Sequence, residues 1–181
     1  TFALPILDFV DAEPDPSALG LIDEYPNLIV LKSLSKNYGI PGIRLGYAAT
    51  GNAERLTELR KDLPIWSINS FAQYFLEEMG DYREEYAESC RRVRDETHNL
   101  VRKLAEVPYL HPYPTQGNFV LCSILQGFTG QEVTERLFED SRILVNNFGS
   151  KNGLDGNFIR IACRTTEENT HPVDKTGRPQ L

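Results

Sequence analysis

Methionine and tryptophan occur once each in this chain of 181 residues, and cysteine only three times. Cys90, Cys122 and Cys163 are odd in number, far apart, and form no metal-binding spacing with His98, His111 and His171. This argues against a disulfide framework and for a reducing compartment, with each thiol a small buried apolar group. Long apolar runs are also missing. Nothing approaches the roughly 18 residues of a membrane span, and no signal-peptide pattern opens the chain, so the expected location is the cytoplasm. An excess of positive charge is missing too. The formal charge of −7 and pI of about 5.0 speak against nucleic acid or an anionic membrane as the main partner. Any basic function must come from individually placed Lys or Arg.

What is present is an ordinary soluble composition, 40% hydrophobic and 25% charged. The length suits one sizeable core, or a domain plus part of another. The opening "TFALPIL" starts abruptly on apolar residues and reads as a piece of something longer. "DAEPDPSALG" is a Pro- and acid-rich loop leading to a short helix near Ser17 to Tyr25. "NLIVLKS" and "IRLGYAAT" are short apolar runs of strand type. The link between them leaves no room for a crossover helix, so the pair is expected to be antiparallel. Helical periodicity follows in "AERLTELRKDL", in "INSFAQYFLEEMG" and in a long charged segment from Asp81. Its apolar stripe comprises Tyr86, Cys90, Val93, Thr97, Leu100, Val101 and Leu104.

After Pro108 the pattern becomes "GNFVLCSI" (strand), "GQEVTERLFEDS" (helix), "RILVNN" (strand), "GSKNGLDG" (turn) and "FIRIACR" (strand). "TTEENT" then opens a last helix cut at Pro172. The chain is therefore expected to be α/β in two parts, 1–80 and 81–181, with the long helix joining them.

The chemistry centres on "LKSLSKNYGIPGIRLGYAAT", Leu31 to Thr50. Ser33, Ser35 and Arg44 supply hydroxyls and a planar guanidinium, a donor set suited to a phosphate dianion. Gly39, Gly42 and Gly46 permit tight turning and close backbone approach. Burial of Lys36 beside a cation would lower its pKa and make it a nucleophile toward a carbonyl. A phosphate cradle beside such a lysine suits pyridoxal 5′-phosphate. The competing reading is a surface hairpin with a solvated lysine.

This stretch resembles the lysine loop of fold-type I pyridoxal-phosphate enzymes. It is most similar to the histidinol-phosphate aminotransferase and threonine-phosphate decarboxylase branch, Ser-x-Ser-Lys-x-x-Gly-x-x-Gly-x-Arg-x-Gly-Tyr. Ser33, Ser35, Lys36, Gly39, Gly42, Arg44, Gly46 and Tyr47 fall in register. The resemblance implies that Lys36 bonds the cofactor aldehyde, that Ser33 and Arg44 hold its phosphate, and that Ser35 is a further contact. "YPTQGNFVLC" resembles a segment that places an Asn, here Asn118, near the active site. "FIRIACRTTEEN" resembles a stretch whose first arginine, here Arg160, binds the substrate α-carboxylate. Arg164 either joins that site or pairs with a Glu.

The chain departs from the family in three places. The Asp-Glu-x-Tyr/Phe segment, whose Asp meets the pyridine nitrogen, is absent. Asp8 and Asp11 are the candidates, and "LDF" lets Asp8 match a later Asp-Phe instead. The family's N-terminal half is not represented, so the end of the large domain and the small C-terminal domain are what the resemblance covers. Asn146 and Asn147 stand where phosphate-binding relatives often carry a basic residue, with Lys151 as a possible substitute.

"GSKNGLDG" lacks a phosphate-loop ending, and the pairs Glu77/Glu78 and Glu84/Glu85 have ordinary helical surface spacing. The expected activity is amino-group transfer from an amino acid to a 2-oxo acid by a homodimer. The alternatives are decarboxylation of a phosphorylated amino acid and a non-catalytic binding domain.

Overall fold

Apolar β-type segments in the first half assemble into a small sheet, and helical segments with clear N-caps follow it. The computed structural model describes residues 2–3, 7–12, 17–125, 127–149, 154 and 156–170. By its contacts the chain divides into two compact units, Thr1–Cys90 and Arg91–Leu181.

In the first unit, β1 (Phe2–Ala3), β2 (Val30–Ser33) and β3 (Gly46–Ala49) lie in that order. β1 runs parallel to β2, and β2 pairs antiparallel with β3, as the short link requires, with Lys32 opposite Tyr47 and Ser33 opposite Gly46. The close approach explains Gly46: a Cβ there would stand 2.7 Å from the Lys32 carbonyl oxygen. The helix expected near Ser17 is a 3₁₀ turn, Ala18–Leu21, whose Leu19 amide donates to Ser17 Oγ at 3.2 Å.

Helix α1 (Ala53–Lys61) starts at Asn52, which accepts from the Arg55 amide. Helix α2 (Ser70–Glu78) starts at Asn69, which accepts from the Ala72 amide at 3.0 Å and donates to the Ile43 carbonyl at 2.9 Å. These caps satisfy amides that have no partner inside the helix. Leu34, Leu45 and Ala72 form a small buried group, flanked by Tyr38, Ile43, Phe75 and Met79.

Helix α3 (Arg83–Ala105) carries the expected stripe, with Cys90, Thr97, Leu100 and Leu104 buried. The division between units falls within it. In the second unit β4 (Leu110–Pro112), β5 (Phe119–Ile124), β6 (Asn146–Asn147) and β7 (Phe158–Ala162) form an antiparallel sheet ordered β4-β5-β7-β6. Alternation is strict: Val120, Cys122, Ile124, Ile159 and Ile161 face a core with Leu100, Leu104, Val133 and Leu137. Burial pushes the Cys122 thiol up to about 12, as befits an inert packing group.

Helix α4 (Gly130–Ser141) has a full capping box, with Thr129 and Glu132 bonded reciprocally. The expected strand over "RILVNN" is reduced to Asn146–Asn147 because Arg142 caps α4 in the left-handed region, φ 56°. The Arg142 and Ile143 amides bond back to the Phe138 and Leu137 carbonyls and are unavailable for sheet pairing. "TTEENT" forms a 3₁₀ turn, Glu168–Thr170, rather than α-helix within the described residues. Most of the turn expected over 149–156, with Lys151, and His171 and the tail beyond it lie outside the described residues.

Candidate active site

The turn after β2 alternates its side chains. Leu34, Ser35 and Asn37 are buried, while Lys36 between them is exposed. This corrects the expectation of a buried lysine: in a tight turn, burying both neighbours directs the residue between them outward. Gly39 then reverses the chain at φ 67°.

Ser33, Ser35 and Arg44 do come together. They line one open cleft of about 440 Å³ with Lys32, Gly46 and Tyr47. Neither serine hydroxyl has a hydrogen-bond partner among the described residues, and the Arg44 guanidinium makes one bond, to the Pro41 carbonyl at 3.1 Å. Free hydroxyls, an accessible guanidinium and a floor without a Cβ at Gly46 fit a phosphate dianion. Lys36 adjoins the cleft through Ser35.

Asp8 lies beyond β1, on a 3₁₀ turn, Leu7–Phe9, and its carboxylate is already committed. Oδ1 pairs with Lys32 Nζ, while Oδ2 accepts from the Asn37 amide and from the Tyr86 hydroxyl at 2.6 Å. Lys32, Asn37 and Tyr86 are the residues that sequence reasoning missed. The available signal was a lone charge, Lys32, inside the apolar run "LIVLKS".

In the second unit Arg160 sits on the sheet face opposite the core, with its guanidinium over the rings of Phe119 at 5.2 Å and Phe148 at 5.3 Å. Contacts to two aromatic faces restrain the guanidinium without consuming its N–H donors. Asn118 immediately precedes β5 and is half-buried; its carbonyl accepts from the Cys163 amide at 2.8 Å. Arg164 is not beside Arg160. It lies past the end of β7, pairs with Glu168 at 2.9 Å, and lines a separate cavity of about 370 Å³ with Leu100 and Ile143. Asn146 is opposite Arg160 in the sheet, and Asn147 is bonded to Gln131 and to the Gly149 amide.

The family model for aminotransferase class I and II matches residues 7–175. The chain is 40% identical over 164 residues to CMP-5′-(3-aminopropyl)phosphonate synthase of Streptomyces rubellomurinus, covering 89% of this chain and 26% of that one. It is 34% identical over 151 residues to an L-serine phosphate decarboxylase of Campylobacter jejuni, covering 82% and 38%. A solved decarboxylase from Sulfurospirillum multivorans superposes with a TM-score of 0.84 at 31% identity, over 92% of this chain and 48% of that one. The chain thus spans less than half the length of these relatives. It belongs to the class I and II aminotransferase family of fold-type I enzymes, whose cofactor is pyridoxal phosphate.

Proposed function

We propose that this chain is the C-terminal part of a pyridoxal-phosphate-dependent decarboxylase acting on a phosphorylated amino acid. The reading replaces the amino-group transfer expected first. Its structural support is the cleft of Ser33, Ser35 and Arg44 adjoining Lys36. Its chemical direction comes from the relatives named L-serine phosphate decarboxylase and from the solved decarboxylase.

Lys36 would hold the cofactor covalently through Nζ, with Ser33, Ser35 and Arg44 on the phosphate. When bound, the cofactor supplies a sink for the electron pair left on Cα. Arg160 would bind the substrate α-carboxylate through its planar fork and so orient the substrate. Lys36 Nζ is then the group that returns a proton to Cα. Amino-group transfer, the second reading, is supported by the family description and needs the same residues with a different bond aligned.

The working unit is a homodimer in this proposal. Supporting it, Ile65, Trp66 and Phe71 are 96%, 91% and 81% exposed, on α2 and the segment before it.

The test uses the full-length protein and O-phospho-L-serine. The expected result is release of carbon dioxide with no amino group passed to a 2-oxo acid; transfer without carbon dioxide would overturn the reading. Borohydride should fix the cofactor on Lys36, and Lys36→Ala should lose the adduct.

A further inference from the structure

Three donors on separate segments converge on one carboxylate below the lysine turn. We propose that Asp8 is a positioning residue: it fixes Asn37, and through Asn37 the direction in which Lys36 leaves the turn. The inference rests on Lys36 being the cofactor lysine.

Asp8 is itself anchored. Phe9, its neighbour on the 3₁₀ turn, is buried, and the Val10 amide closes that turn on the Leu7 carbonyl at 2.9 Å. A carboxylate offers only acceptors, and here it meets only donors: Lys32 from β2, the Asn37 amide from the lysine turn, and the Tyr86 hydroxyl from α3. The bond to Asp8 is the one side-chain tie Asn37 makes among the described residues, because its Oδ1 is buried without a partner. Losing it would strand the whole amide, so Asp8 decides where residue 37 sits.

Residue 38 is held in parallel. The Tyr38 ring stacks on Tyr86 with centroids 4.1 Å apart and planes 13° apart, and meets Phe75 edge-on at 5.3 Å. Burial, and then the bond to Asp8, pushes the Tyr86 hydroxyl far up, so it remains a donor throughout the working range. Both residues following Lys36 are therefore tied to the Asp8–Tyr86 pair, and Ser35 before it is buried. The lysine projects from a turn fixed on both sides.

A charge exchange tests this in the full-length holoenzyme. Asn37→Asp sets two carboxylates against each other, and Asp8→Asn replaces one of the two acceptor oxygens by a donor. The double variant D8N/N37D restores one donor facing one acceptor. The readout is the pH midpoint of the visible absorbance of the lysine-bound cofactor, alongside the thermal midpoint. Each single variant should move the absorbance midpoint by about one pH unit, and the double variant should return most of the shift.

An unmoved absorbance midpoint with a lowered thermal midpoint would make the network merely structural and overturn the proposal. So would a double variant no better than the singles. If the singles do not fold, Tyr86→Phe removes one bond to Oδ2 and should still shift the absorbance midpoint; no shift overturns the proposal. Lys36→Ala separates the two ideas. A visible band surviving that change refutes the lysine assignment, whereas a band lost there but unmoved in the other variants refutes only the role of Asp8.

Discussion

The two units treat apolar surface differently. The second encloses its own: Leu100, Leu104, Val120, Cys122 and Ile159 are all at or below 2% exposure within one continuous core. Among the described residues of the first, Leu34, Leu45 and Ala72 form a smaller buried group around the lysine turn, and Phe9, Leu28, Val30 and Cys90 are buried outside that group. The first unit also carries thirteen of the seventeen large hydrophobic residues exposed among the described ones, and that imbalance identifies the unit whose surface calls for cover. The unit with Lys36 is thus the less self-sufficient, while the unit with Arg160 is a finished layer of helices on a sheet.

The sharpest separation should come from the two arginines. In the full-length protein Arg160→Ala should weaken amino-acid binding by about 2–5 kcal/mol and leave cofactor affinity nearly unchanged. Arg44→Ala should do the reverse. Equal loss of both ligands in either variant, measured by titration, would erase the functional contrast between the units.

Core truncation comes next. Ile159→Ala should cost about 2–5 kcal/mol in urea unfolding, while Leu45→Ala should fall toward 2 because its surroundings are open enough to relax. Equal costs would mean that the first unit is as well packed as the second.

Helix caps should matter less and more evenly, at about 1 kcal/mol. Thr129→Ala removes a capping box, and Asn69→Ala removes both an N-cap and the bond to Ile43. A larger effect at Asn69 would show that the first unit leans on local bonds where it lacks a core.

The smallest effect is in acid. Thr129, through its amide and then its hydroxyl, holds the Glu132 carboxyl below its ordinary value of 4.5. Glu168 is held below the same value first by Arg164 and then by Thr165. A depressed folded value adds stability above the ordinary value, and this is lost as pH falls through the folded one. Glu132→Gln and Glu168→Gln should therefore flatten the acid limb of thermal stability for the second unit alone.

Legibility followed periodicity. Helix α4 and the buried faces of β5 and β7 could be read directly, because strict alternation and a capping box are local signals. β4 could not. Its three residues lie among Pro108, Pro112 and Pro114 and pair only as a sheet edge, which depends on β5 being beside them. At the site, the spacing of Ser33, Ser35 and Arg44 was visible in the chain. The exposure of Lys36 was not, since it depends on which side chains a turn draws inward. The role of Asp8 required Tyr86, 78 positions away, and no local pattern reports a contact at that separation.

The left-handed backbone of Arg44, at φ 53° and ψ 50°, has a consequence for selection. An L-residue other than Asn or Asp adopts that region at a cost of roughly 1–2 kcal/mol, whereas achiral glycine does so freely. Arg44→Gly would release the strain while deleting the guanidinium from the cleft. A population screened for heat resistance alone should accumulate that change, and one screened for cofactor retention should purge it. Position 44 is where those two pressures pull the same codon in opposite directions.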